Sequence, residues 1–196
     1  MELKKWKKLT SDVKFTNNWW SYKVDKYTLP NGAPGEYHYA FTHGSVFIIP
    51  VTKEGKLLLV RQYRYLNDRF SLEFPGGGVK SEGDHDNQAK KELVEETGFE
   101  GELEYAGLFN PYNGVTNEIC KVYIARNLKP SSAYKKDDSE EFEMFEVSPE
   151  ELEKMIAAND IYDGMTLAAW ALVKDKIRLR SEEHTSELQS RCNLVC

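Results

Sequence analysis

Nowhere in these 196 residues is there an apolar run approaching the roughly 18 to 20 residues that a membrane-spanning helix needs. The lysines of the opening MELKKWKKLT are not followed by the apolar stretch that a secretory signal requires. These two absences predict a cytoplasmic chain with no membrane partner. Basic excess is also missing: the formal net charge is -6, with 26 lysines and arginines against 32 acids. Binding a polyanion needs a clustered cationic surface, so nucleic acid is not expected as a partner, although a mononucleotide needs only a few local cations. Cysteine is scarce and odd in number, and Cys120, Cys192 and Cys196 have neither disulfide-framework nor metal-site spacing. What the chain does have is 40% hydrophobic residues, enough to give one domain a core of its own.

The first 42 residues are rich in aromatics and turn signals. Trp6, Trp19, Trp20, Tyr22, Tyr27, Tyr37 and Tyr39 are interspersed with polar residues, and LPNGAPGEY holds an Asn31-Gly32 turn between strand-like flanks. We expect a small antiparallel sheet there. Two apolar strands follow, SVFIIPV (45–51) and KLLLVRQYR (56–64), expected to lie together at the centre of a mixed sheet. SLEFPGGGVKSEG is expected to be a loop, since Pro75 and three glycines break any helix and leave bare backbone open to close approach. From Asp84 to Thr97 the pattern turns helical, with Ala89, Leu93 and Val94 inward and Gly98 as the stop. LEYAGLF, ICKVYIA and FEMFEV read as strands. Two closing helices are expected, one started by Ser148-Pro149-Glu150-Glu151 and one over MTLAAWALVKDKI.

The chemistry concentrates in one segment. Glu92, Glu95 and Glu96 stand at i, i+3 and i+4, so on a helix their carboxylates project from one face. Such a face is an oxygen cage for a hard cation, Mg²⁺ or Mn²⁺, carrying a diphosphate. Alone it would more often be a solvated surface. The glycine loop before it and Thr97-Gly98-Phe99 after it shift the balance towards a site.

Gly77, Glu92, Leu93, Glu95, Glu96, Gly98 and Phe99 fall in the pattern that defines the Nudix box, and the segment resembles it. Two positions depart: the box glutamate falls on Gly83, and the box arginine is Lys91. The likeness runs over approximately residues 5 to 178, through a Leu-Pro-x-Gly turn, the strand ending RQYR, the EFPGGGV loop and the helix after IYDGMT. It points to the ADP-ribose pyrophosphatase branch. The resemblance implies an α+β Nudix fold, a mixed β-sheet sandwiched between helices in α/β/α layers, over 43–179, preceded by the small antiparallel region of 1–42. It implies a homodimer and metal-dependent hydrolysis of a nucleoside diphosphate-linked small molecule, foremost ADP-ribose to AMP and ribose 5-phosphate. Glu92, Glu95 and Glu96 would bind the ions with the Gly76 carbonyl. The general base would come from KKDDSEEFE, where Glu140 aligns best, and Glu95 would take part in catalysis.

Substrate contacts are expected from Arg64, Glu73, Gly77, Trp20 and Glu118. Arg64 could equally pair with a carboxylate, Glu73 could support the metal shell, and Trp20 could stack on a base or serve as a core or dimer contact. NPYNGVTNE resembles the family's substrate loop with Thr116 and Glu118 in register, though Pro111 is not at the branch's usual position. Rival readings are a pyrophosphatase for GDP-mannose-type nucleotide sugars or dinucleoside polyphosphates, and a catalytically weak domain that senses its ligand. RSEEHTSELQS, from Arg180, resembles the translation of a common sequencing adapter, so 180–196 is expected to lie outside the biological chain.

Overall fold

The computed structural model describes residues 3–133 and 143–177. The expected N-terminal sheet is present. Strands β1 (Lys7–Thr16), β2 (Ser21–Thr28) and β3 (Pro34–Phe41) form an antiparallel meander in the order β1-β2-β3. The β2–β3 turn is closed by the Leu29 N–H donating to the Ala33 carbonyl and by the Ala33 N–H donating to Asn31 Oδ1. Gly32 occupies its left-handed corner at φ 85°.

Among the described residues the rest comprises two sheets, three α-helices and one turn of 3-10 helix at Tyr65–Asn67. β4 (Ser45–Pro50), β7 (Gly76–Gly78), β8 (Phe99–Phe109) and β9 (Cys120–Pro130) form a mixed sheet ordered β7-β4-β9-β8, in which β4 and β9 run parallel and the other pairs antiparallel. β5 (Leu57–Arg64), β6 (Arg69–Glu73) and β10 (Glu143–Val147) form an antiparallel sheet ordered β10-β5-β6. The two apolar strands expected to share one sheet are therefore parted, joined only by an isolated Val51–Leu57 bridge. The TKEG turn between them redirects the chain into the second sheet. A further correction concerns 71–83, expected as loop throughout: its start belongs to β6, and the three glycines form β7. A glycine run has no intrinsic strand preference, but the backbone of β4 supplies an edge on which it can pair.

Helix α1 (His85–Thr97) packs on one face of the mixed sheet. Ala89 and Leu93 meet Val46, Ile48, Tyr123 and Ala125 there, while Val94 is only partly buried. Alternation along β4 sends Phe47 and Ile49 to the opposite face. There they join Leu57, Leu59 and Phe74 of the second sheet, Leu152 of α2 (Pro149–Ala157), and Ala169, Trp170 and Val173 of a helix over 164–177, α3. The layering is thus α/β/α as expected, with the strands split between two sheets. α2 begins at the expected start, where Ser148 and Glu151 form a capping box, and α1 ends at Gly98, left-handed at φ 74°. Among the described residues no helix is long and apolar enough to cross a membrane.

Candidate active site

α1 lies across β7, and the register sets glutamates against glycines. The Gly76 N–H donates to Glu96 Oε2 at 2.9 Å. The Glu92 carboxylate rests on Gly77 so closely that a Cβ at position 77 would lie 2.2 Å from Glu92 Oε1. Only glycine leaves that space. A Cβ on Gly76 would come within 2.4 Å of the Val46 carbonyl oxygen, so its neighbour is equally constrained by the pairing with β4. Glu95 behaves differently: its Oε2 lies 2.9 Å from Lys91 Nζ on the exposed side of the helix. The structure thus lays Glu92 and Glu96 against the glycine strand and turns Glu95 to the surface. Among the described residues no ready-made cluster of three or more His, Cys, Asp or Glu side chains forms a metal cage. All three glutamates start from one face of the helix, but Lys91 Nζ holds the Glu95 carboxylate apart from the other two.

Arg64, at the end of β5, meets Glu73, at the end of β6. Arg64 Nε donates to Glu73 Oε1 at 2.8 Å and Nη2 donates to Oε2, a two-pronged contact. Glu73 is one of the most deeply buried side chains, whereas the Arg64 side chain keeps 46% exposure. The Glu73 hydrogen bonds hold the guanidinium above its ordinary pKa against the opposing effect of burial, with Glu73, Asp163 and Glu96 adding negative charge around it. Arg64 is therefore engaged with a carboxylate, as its alternative reading had it, while standing within the field of Glu96.

Trp20 lies in the β1–β2 turn, where its N–H donates to Asn17 Oδ1 and its ring meets Phe15 at 5.9 Å. Glu118 is partly buried, its N–H donating to Thr116 Oγ1 and its carbonyl accepting from Asn110 Nδ2. Its loop enters β9 at Cys120, which pairs with Ser45, which in turn pairs with Gly78. Two strand spacings, about 10 Å, therefore separate that entry from the glycine strand. Glu140 lies outside the described residues, as do 180–196. Cys120 fits a bystander's part, since burial pushes its thiol up to about 12.

Three contributors escape the sequence reading. Gln88, buried on α1, donates from Nε2 to Glu92 Oε1 at 2.5 Å. Thr166, fully buried, accepts the Phe74 N–H on its hydroxyl, and Asp163 accepts the Thr166 N–H at 2.7 Å as α3 begins. Together they fix the turn into the glycine strand. The N-capping aspartate was the one available signal.

The segment from residue 41 to 166 matches the NUDIX domain. The chain belongs to the NUDIX family. It is 30% identical over 162 residues to an ADP-ribose pyrophosphatase of Bacillus subtilis (strain 168), covering 82% of this chain and 88% of that protein. It is 33% identical over 149 residues to a methanol dehydrogenase activator of Bacillus methanolicus, covering 75% of this chain and 80% of the relative. Its fold is similar to the crystal structure of an ADP compounds hydrolase, with a TM-score of 0.76 at 18% identity over 92% of this chain and 98% of that one. This Nudix hydrolase thus carries its box on the β7–α1 junction, where the two glutamates meet the two glycines.

Proposed function

We propose that this Nudix hydrolase cleaves the pyrophosphate bond of a nucleoside diphosphate linked to a second moiety, with Mg²⁺ or Mn²⁺ as cofactor. ADP-ribose is the favoured substrate, giving AMP and ribose 5-phosphate. The observation that carries the reading is the seating of Glu92 and Glu96 on Gly77 and Gly76: two carboxylates beside backbone that has no side chain to keep a ligand away. Two carboxylates suit magnesium, which takes one or two of them and fills its remaining positions with water and phosphate. Glu95 completes the set as a third ligand by leaving Lys91. The cost is small, because a surface pair at this spacing contributes only about 0.3–0.5 kcal/mol.

When bound, the cation would neutralise the diphosphate and lower the pKa of the attacking water. The chain's own residues supply the placement. Glu73 fixes the Arg64 guanidinium, whose five N–H donors exceed the two that Glu73 takes, so the same group can hold a phosphate oxygen at the edge of the site. Glu118 and the 110–118 loop approach from the β9 side, and Trp20 offers an exposed ring at the rim of the small sheet. The relative from B. subtilis, named for ADP-ribose, supports that substrate. We also assign a homodimer formed through the small sheet: all of β1 is exposed, including Leu9, Val13 and Phe15.

A panel of ADP-ribose, GDP-mannose and dinucleoside polyphosphates with Mg²⁺, scored by the nucleotide released, tests the substrate. An about tenfold preference in kcat/KM for GDP-mannose would remove ADP-ribose from the proposal. Glu96→Gln is expected to abolish turnover with the fold retained. Wild-type protein that binds nucleotide without metal-dependent cleavage would point to a sensing role instead.

A further inference from the structure

We infer that Gln88 is a positioning residue for Glu92: it holds the carboxylate in its seat on the glycine strand and so prepares this site to take its divalent ion. The inference rests on the metal-dependent reading above and adds to it a residue that neither the box pattern nor the glutamate spacing points to.

Gln88 and Glu92 stand one helical turn apart, at i and i+4, on the face of α1 that looks towards β7. Gln88 is 6% exposed, and its Nε2 donates to Glu92 Oε1 at 2.5 Å. The same oxygen is the one a Cβ at Gly77 would strike. Glu92 Oε1 is thus located from two sides, by the Gly77 backbone beneath it and by the Gln88 amide along the helix. The helix position that carries Gln88 is itself fixed. Its backbone N–H donates to the Asp84 carbonyl at 3.0 Å, and the adjoining Ala89 is fully buried against the mixed sheet.

The choice of an amide has chemical content. Lys91, the cation nearest in sequence, is paired with Glu95. A neutral donor orients a carboxylate without itself adding a positive charge, whereas an ammonium in that place would compete with the metal for the same oxygen. Orientation before binding also spares the side-chain ordering that a swinging glutamate would undergo on meeting the ion.

The test is Mn²⁺ binding to the full chain, measured by calorimetry and by loss of the free-ion paramagnetic signal, in wild type, Gln88→Met and Gln88→Ala. Methionine keeps the length and burial without a donor, and alanine keeps the helix, so one of the two retains the fold if the other does not; thermal unfolding establishes which. The expected result is a 10- to 100-fold weaker Mn²⁺ affinity in the folded variant, the usual effect of removing a partner of a metal ligand. The Mg²⁺ concentration needed for half-maximal hydrolysis should rise in step, with kcat at saturating metal changing less. Wild-type affinity retained in a folded variant would overturn the inference while leaving the metal reading intact. A wild type that takes up no Mn²⁺, with or without nucleotide, would overturn both.

Discussion

Gly77 lies directly under the Glu92 carboxylate. Any side chain there must displace the Glu92 carboxylate, since even a methyl carbon would sit 2.2 Å from its oxygen. Gly77→Ala is expected to push the flexible Glu92 carboxylate aside at a stability cost of no more than about 1 kcal/mol, the lower end for overpacking, and to lower kcat at saturating substrate far more than a surface substitution of like stability cost. Thermal unfolding beside steady-state kinetics separates the two effects. The Arg64–Glu73 pair gives a second expectation. Glu73 is buried but Arg64 is half exposed, so Arg64→Met should cost less than the loss of a fully buried pair, about 1–3 kcal/mol; denaturant titration measures it, and a loss below about 1 kcal/mol would class the pair with ordinary surface contacts. At this scale the sequence was legible for glycines and glutamates, whose spacing carries their meaning. It was silent on Gln88 and Thr166, because an amide or hydroxyl becomes informative only once its partner is known.

At the level of elements, α1 was readable from its apolar period and terminal Gly98, and α2 from its Ser148 cap, proline and acidic first turn. β7 was not, since Gly-Gly-Gly is a strand only by virtue of the edge that β4 offers. The division of β4 and β5 between sheets was hidden for a similar reason: two neighbouring apolar strands look alike whether they pair or part. The start of α1 carries its own expectation. His85 is buried, with neither ring nitrogen hydrogen-bonded. Burial first and the charge of Lys121 second hold its pKa below the ordinary value, against the pull of Asp86 and Asp84. The unfolded chain therefore takes up the proton at higher pH than the folded one. Stability contributed by neutral His85 is full above the unfolded value of about 6.5 and declines as pH falls below it. Melting temperature should drop between about pH 7.5 and 5.5, and His85→Leu should flatten that drop; an unchanged slope in the variant would take His85 out of the account.

For the whole molecule, the exposed β1 is the feature that an isolated chain does not explain. Leu9, Val13 and Phe15 on it are each more than half exposed. Sedimentation should show a dimer that Val13→Glu converts to monomer without lowering the far-ultraviolet helix signal; a wild type that sediments as a monomer at high concentration would withdraw the assembly proposed for it. Fold class and layering were the most legible parts of the protein, because they rest on patterns spread over many residues. Association and substrate are the least, because they rest on a few atoms at the rim.

Those rim atoms are already linked. Asn117 and Thr42 exchange two hydrogen bonds, the Thr42 N–H to Asn117 Oδ1 at 2.9 Å and Asn117 Nδ2 to the Thr42 carbonyl at 3.0 Å, and Ala40 bonds to the backbone of Val115. The meander is thereby hinged to the stretch that carries Glu118, so tilting one drags the other. Whatever grips the outer strand would then also act on the loop before β9, the proposed approach for substrate.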